Sequence, residues 1–213
     1  MTIFLRRINR FLLMFSTVLI GFLLGFAGLA HAYTATDTGS VIAFSNTPIN
    51  WNNAIYCIDT RGENLQHIGN QTGRNCGPCW SPDGEKIAFY IHYTDRPAWS
   101  IFVMNADGGN VKQLTYTENV WDHNSSCSPD GATIVFGRES ATSNAEIWIM
   151  DSSGNNLHKL ENVIGNGPEW SPRGDQVAYH SSQDGNSEIY TMNIDGNDQR
   201  RLTNNSADDC WPS

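Results

Sequence analysis

The chain has 213 residues and a formal net charge of −9, from 22 Asp and Glu against 13 Lys and Arg. That acidic balance repels nucleic acid and anionic lipid, which argues against a polyanion-binding role. The length suffices for one domain with a real core once an N-terminal segment is set aside.

Arg6, Arg7 and Arg10 form a basic start, Phe11 to Ala30 is free of charge and apolar, and Ala30-His31-Ala32 places small residues where an A-x-A cleavage site needs them. The expectation is a secretory signal over 1–32, cut after Ala32, with a periplasmic or secreted product. The alternative is an uncleaved membrane anchor, since about 20 apolar residues can span a bilayer. No later stretch is apolar enough to cross a membrane. An oxidising compartment permits disulfides. The five cysteines, Cys57, Cys76, Cys79, Cys127 and Cys210, leave at least one thiol over within a monomer.

From Val41 onward one unit recurs. Trp80-Ser81-Pro82-Asp83-Gly84, Cys127-Ser128-Pro129-Asp130-Gly131 and Trp170-Ser171-Pro172-Arg173-Gly174 lie at a period of about 45 residues. Each reads as a type I turn, with Pro preset at its second position and Gly at its fourth. Each leads into a short apolar strand: Ile87-Ala88-Phe89, Ile134-Val135-Phe136 and Val177-Ala178-Tyr179. Next come Ala54 to Ile58, Ser100 to Met104, Ile147 to Met150 and Glu188 to Met192, each followed by a turn carrying Gly62, Gly108, Gly154 or Gly196. Leu65, Leu114, Leu160 and Leu202 are expected to close the third strands, and Glu139 to Asn144 to form a polar loop. Several short strands per unit predict an all-β chain: a β-propeller of about four four-stranded blades. The approximate units are 41–84, 85–131, 132–174 and 175–213, within one repeat domain over 33–213. Trp80 and Trp170 are expected in the packing between blades.

The run W-S-P-D-G-x-x-I-A-F, followed by Asp184-Gly185-Asn186-Ser187-Glu188-Ile189-Tyr190-Thr191-Met192-Asn193-Ile194-Asp195-Gly196-Asn197 and Arg201-Leu202-Thr203, resembles the C-terminal propeller of the periplasmic TolB family. It is also similar to the propeller half of prolyl oligopeptidase-type enzymes. The resemblance covers roughly Val41 to Ser213. It implies a propeller of usually six blades and a protein partner in the envelope, for TolB a peptidoglycan-associated lipoprotein. The α/β domain that precedes a TolB propeller has no counterpart between the signal and Val41.

The tail Asp209-Cys210-Trp211-Pro212-Ser213 aligns with Asp122-His123-Asn124-Ser125-Ser126, an inner strand, and the first unit begins without one. The tail could therefore complete blade one and close a four-bladed ring. Otherwise the chain is a partial propeller, whose uncovered faces would favour self-association. Closure would make the strands of Cys76 and Cys210 neighbours and allow a disulfide between them. Cys127 and Cys57 are then expected as buried thiols.

Cys76-Gly77-Pro78-Cys79 has the letters of a redox motif, but no helix follows to lower a thiol pKa. No second pair completes a zinc site either. Asp184-Gly185-Asn186 and Asp195-Gly196-Asn197 lack the acidic spacing of a calcium loop and read as Asx turns. No G-x-S-x-G elbow, catalytic triad or phosphate loop is legible, so no catalytic residue, metal or cofactor is assigned. The expectation is an exported, non-enzymatic scaffold that binds a protein or peptide through its loops and channel mouth. Trp51, Tyr93, Trp99, Asp122, His123 and Asp209 are the candidate contacts. The alternatives are a propeller-type polysaccharide lyase or hydrolase, or the propeller part of a prolyl oligopeptidase-type enzyme.

Overall fold

The computed structural model describes residues 31–35, 39–46, 54–69 and 72–212. The expected signal and Trp51 lie largely or wholly outside them. All regular structure among the described residues is β, in sheets of four, eight and four strands. The eight-stranded sheet is two antiparallel four-stranded units joined by one parallel bridge between Trp99 and Trp121, so the strands fall into four blade-like units. Blade one holds β1 (His31–Ala35), β2 (Gly39–Asn46), β3 (Ala54–Asp59) and β4 (Gln66–Gly69). Blade two holds β5 (Arg74–Trp80), β6 (Lys86–His92), β7 (Trp99–Asn105) and β8 (Lys112–Gln113). Blade three holds β9 (Val120–Cys127), β10 (Thr133–Ser140), β11 (Ser143–Asp151) and β12 (His158–Ile164). Blade four holds β13 (Asn166–Trp170), β14 (Gln176–Ser181), β15 (Glu188–Asn193) and β16 (Arg200–Arg201). The sheets run one strand out of phase with the sequence units, which were cut at the Ser-Pro turns.

Those turns form by one rule. The fourth-position Gly donates its N–H to the Ser carbonyl at 2.9–3.0 Å in all three. The Ser hydroxyl caps the turn, accepting from the backbone of Lys86, Thr133 or Gln176. Asp83 and Asp130 accept from that hydroxyl at 2.6 Å, and where Arg173 replaces the Asp, Asp175 takes its place at 2.9 Å.

Successive blades pack face to face, giving three junctions. Ala43, Ile55 and Cys57 meet Ile87, Phe89 and Met104 between blades one and two. Ala88, Ile101 and Leu114 meet Ile134, Phe136 and Met150 between two and three. Ile147, Leu160 and Val163 meet Val177, Tyr179 and Met192 between three and four. Burying one such side chain stabilises by about 1.5–3 kcal/mol, so each junction holds a core of its own. Trp170 is buried in the third junction and Trp80 packs on the first, as expected. The first strands β1, β5, β9 and β13 touch in series and line the axis.

Among the described residues no strand of blade four pairs with blade one, and the strands of blade one pack on blade two and not on blade four, so the chain is a partial propeller, an open arc. The inner place in blade one is filled by β1, paired with β2 from His31↔Ala43 to Ala35↔Gly39. β1 runs through the expected cleavage point between Ala32 and Tyr33. The C-terminal tail does not reach blade one. Asp209 N–H donates to Ser187 O at 2.7 Å, repeating the bond from Gly165 N–H to Ala145 O that seats β13 on blade three. The tail thus lies where the first strand of a following blade would.

Two smaller expectations change. Residues 139–144 are not a loop, because β10 and β11 extend through them to a tight turn with Ser140 opposite Ser143. Leu65 is exposed. Ile68, six residues after Gly62 as Leu114 is after Gly108, is the half-buried residue that packs on the first junction in its stead.

The candidate functional site on the axial face

Three of the inner strands, β5, β9 and β13, carry a bulge at the same point, whereas β1 pairs with β2 in unbroken register. Register shifts fall between Cys76 and Cys79, opposite Val135 and Gly137, and between Asn166 and Glu169. The residue that makes room for each, Gly77, Asn124 or Gly167, has φ of 54–58°. The bulge re-aims the side chains beside it toward the axis. Trp211 adopts φ 60° at the equivalent place in the tail and lies edge-on against His180, ring centroids 4.8 Å apart.

The bulges and strand ends assemble an aromatic cluster between blades two and three. Trp99 opens β7 and stands beside Trp121 of β9 through a parallel bridge, with ring centroids at 6.3 Å. His92 and Tyr90 on β6 lie 4.8 and 5.8 Å from the Trp99 ring, and His123 meets it edge-on at 5.1 Å. Trp99, Trp121, His92 and Tyr90 are half-buried.

A polar strip continues from His123 toward blade four. The Asn124 amide donates to His123 Nδ1 at 2.6 Å, which leaves the ring proton on Nε2, 3.6 Å from Glu139 Oε1. Asn166 bonds Glu139 and accepts from Gly167 N–H at 2.6 Å. Gly137 makes this possible, since a Cβ there would fall 2.3 Å from Asn166 Oδ1. Burial lowers His123 to about 4, so its imidazole is neutral at neutral pH.

Of the six candidate contacts, the structure brings Trp99 and His123 together. Asp122 is fully enclosed and presents no carboxylate to the channel. Arg138, directly opposite on β10, binds it through two contacts of 2.6 and 2.9 Å. The same guanidinium lies 4.1 Å from the centre of the Trp148 ring. Tyr93 is away from the axis, packed against the first junction with Arg96 stacked on its ring at 3.7 Å. Asp209 sits on the tail, accepting from Asn205 at 2.7 Å. Trp121, Tyr90, His92, Glu139 and Asn166 were not anticipated. They come from several strands, and the signal that could have found them was the alignment of inner strands that had placed His123.

The Cys76–Cys210 bond that ring closure would have allowed does not form. Cys210 is exposed on the tail at blade four, with blade three between it and Cys76. Cys79 and Cys127 are bonded instead, Cα atoms 6.0 Å apart, joining blade two to blade three. Cys127 is therefore not a thiol. Cys57 is a buried one, pushed up to about 12 by desolvation. Among the described residues no cluster of three or more His, Cys, Asp or Glu is arranged to hold a metal ion, and no helix is long and apolar enough to cross a membrane.

Residues 22–166 match the family described as the TolB beta propeller domain. The chain belongs to that family. The TolB structure from Acinetobacter baumannii is similar with a TM-score of 0.65 and 26% identity, over 76% of this chain and 41% of that one. A TolB structure from Agrobacterium tumefaciens gives a TM-score of 0.69 at 23% identity, over 84% of this chain and 67% of that one, a likeness of fold. Among curated proteins, an uncharacterized protein of Agrobacterium fabrum, Atu1656, is 31% identical over 137 residues. The chain spans 46% of that relative, about half its length.

Proposed function

We propose that the chain is an exported TolB-type propeller segment that binds a protein or peptide in the cell envelope, with the Trp99–Trp121 cluster as its contact surface. The observation that carries this reading is the cluster itself. Two indoles, a phenol and an imidazole are held half-exposed on rigid strands beside the axis, and rigid aromatic anchors dominate protein recognition. Asp122, next in the chain to His123, is engaged in structure with Arg138 at 2.6 Å. The same reading holds 1–32 to be a signal removed on export, leaving 33–213 as the repeat domain.

The test is a selection of displayed random peptides against the purified chain, counter-screened on a Trp99→Ala/Trp121→Ala variant. Enriched peptides are expected to lose at least about ten-fold in affinity on the variant, the effect of removing a central aromatic anchor. Peptides that bind both proteins equally would move the site elsewhere. Cell fractionation with N-terminal sequencing of the envelope form is expected to read from Tyr33.

A further inference from the structure

Cys76-Gly77-Pro78-Cys79 is the one sequence motif that peptide binding leaves unused, and in the structure it is the bulge of β5. Cys76 pairs with Tyr90 and Cys79 with Ala88. Tyr90 and Ala88 are two residues apart on one strand, so they share a face, and their partners stand about 7 Å apart. That is the upper end of the Cα separation a disulfide spans, roughly 4–7 Å. Without the bulge the two cysteines would fall on opposite faces. Cys79 is 2% exposed and bonded to Cys127, while Cys76 keeps its thiol and hydrogen-bonds with Tyr90. Cys127 also forms part of the wall of a cleft of about 220 Å³ between blades two and three, with Ser81, Asp83, Lys86 and Ser152.

We propose that Cys76, Cys79 and Cys127 form a thiol–disulfide exchange site. The Cys76 thiolate attacks Cys79 Sγ, the Cys76–Cys79 bond forms and the Cys79–Cys127 bond breaks. The electron pair leaves on Cys127 Sγ, which takes up the proton that Cys76 released. The step is an isomerisation with no net oxidation and needs no outside reagent. It exchanges a covalent link between two blades for one within a strand. It also delivers the Cys127 thiol to the cleft, where a small disulfide or electrophile can modify it.

The experiment incubates the folded chain, prepared without reductant, with N-ethylmaleimide over a range of pH, then maps it after non-reducing tryptic digestion. Cys76 and Cys79 fall in the peptide 75–86 and Cys127 in 113–138. The expected product is 113–138 labelled at Cys127 together with 75–86 carrying an internal disulfide. Its rate should rise roughly ten-fold per pH unit below the attacking thiol's pKa. Cys57 must stay unlabelled, which reports that the fold is intact. A Cys76→Ser variant is expected to keep the 75–86 to 113–138 cross-link and lose labelling of Cys127. Labelling of Cys76 alone in the wild type, or equal labelling of Cys127 in both proteins, would overturn the proposal. Because the internal disulfide is read in the wild type, the result does not depend on the variant folding.

Discussion

The junction between blades three and four and the outer face of blade four are built from the same letters and have opposite fates. Ile147 and Leu160 face blade four and are 0% and 3% exposed. Ile189 and Leu202, at the same places in the next repeat, are half-buried and 52% exposed. Strand pairing, turns and hairpin are alike in the two blades, so local sequence does not decide burial here; the neighbouring blade does. In a repeat array the stability of a unit resides largely in its interfaces. Identical side chains should therefore carry very different energies.

The sharpest break of this comparison pairs Asp122 with Asp209, which hold one repeat position. Asp122→Ala strands Arg138 inside the third blade and is expected to lower stability by about 3–5 kcal/mol. Asp209→Ala, on the tail, should cost about 0.5 kcal/mol or less. Urea melts of the two variants read the difference, and equal costs would refute the assignment of inner and outer places. Next is the leucine pair. Leu160→Ala opens a cavity and should cost about 2–5 kcal/mol, whereas Leu202→Ala should stay within about 0.5 kcal/mol. On the open face, Leu202→Glu is expected to reduce any concentration-dependent association seen by sedimentation velocity.

Acid sharpens the contrast with smaller effects. Glu188 accepts from Thr203, the Asn205 N–H and Arg201, and these bonds hold its carboxyl down to about 2 from the usual 4.5. The unfolded chain therefore takes up that proton first, and stability present above pH 4.5 is lost as pH falls toward 2. Buried His123 is shifted from 6.5 to about 4, so the unfolded chain again binds the proton first and stability declines between those values. Glu188→Gln should flatten the lower step, carried by the end blade, and His123→Gln the upper step, carried by an inner one. Stability measured from pH 7 to pH 2 checks both; a profile unchanged in either variant would reject its assignment.

The fold was legible because its punctuation is local. Pro82, Pro129 and Pro172 with their serines and glycines, and the glycines of the hairpins, need no partner from another repeat to be recognised. What escaped was whatever links repeats at unlike positions. The Cys79–Cys127 bond joins residues 48 apart, a cysteine just before a turn tryptophan and a cysteine standing in that tryptophan's place. Pairing like with like pointed to Cys76 and Cys210 instead. Arg138 was missed for a related reason. Its equivalents, Ile91 and Ser181, are uncharged, so nothing in the repeat pattern announced a partner for Asp122. Leu65 misled by three residues because the turn before β4 is followed by two candidate apolar positions, and only packing on blade two selects Ile68. At the axial site the sequence offered Trp99 and His123 singly; their convergence with Trp121, His92 and Tyr90 is a product of stacking.

The most direct measurement is carbene footprinting of the folded chain at low concentration, comparing three leucines that share one repeat position. Leu202 is expected to label strongly, with Leu114 and Leu160 close to background. Comparable labelling of all three, or protection of Leu202 in a monomer, would contradict the open arc.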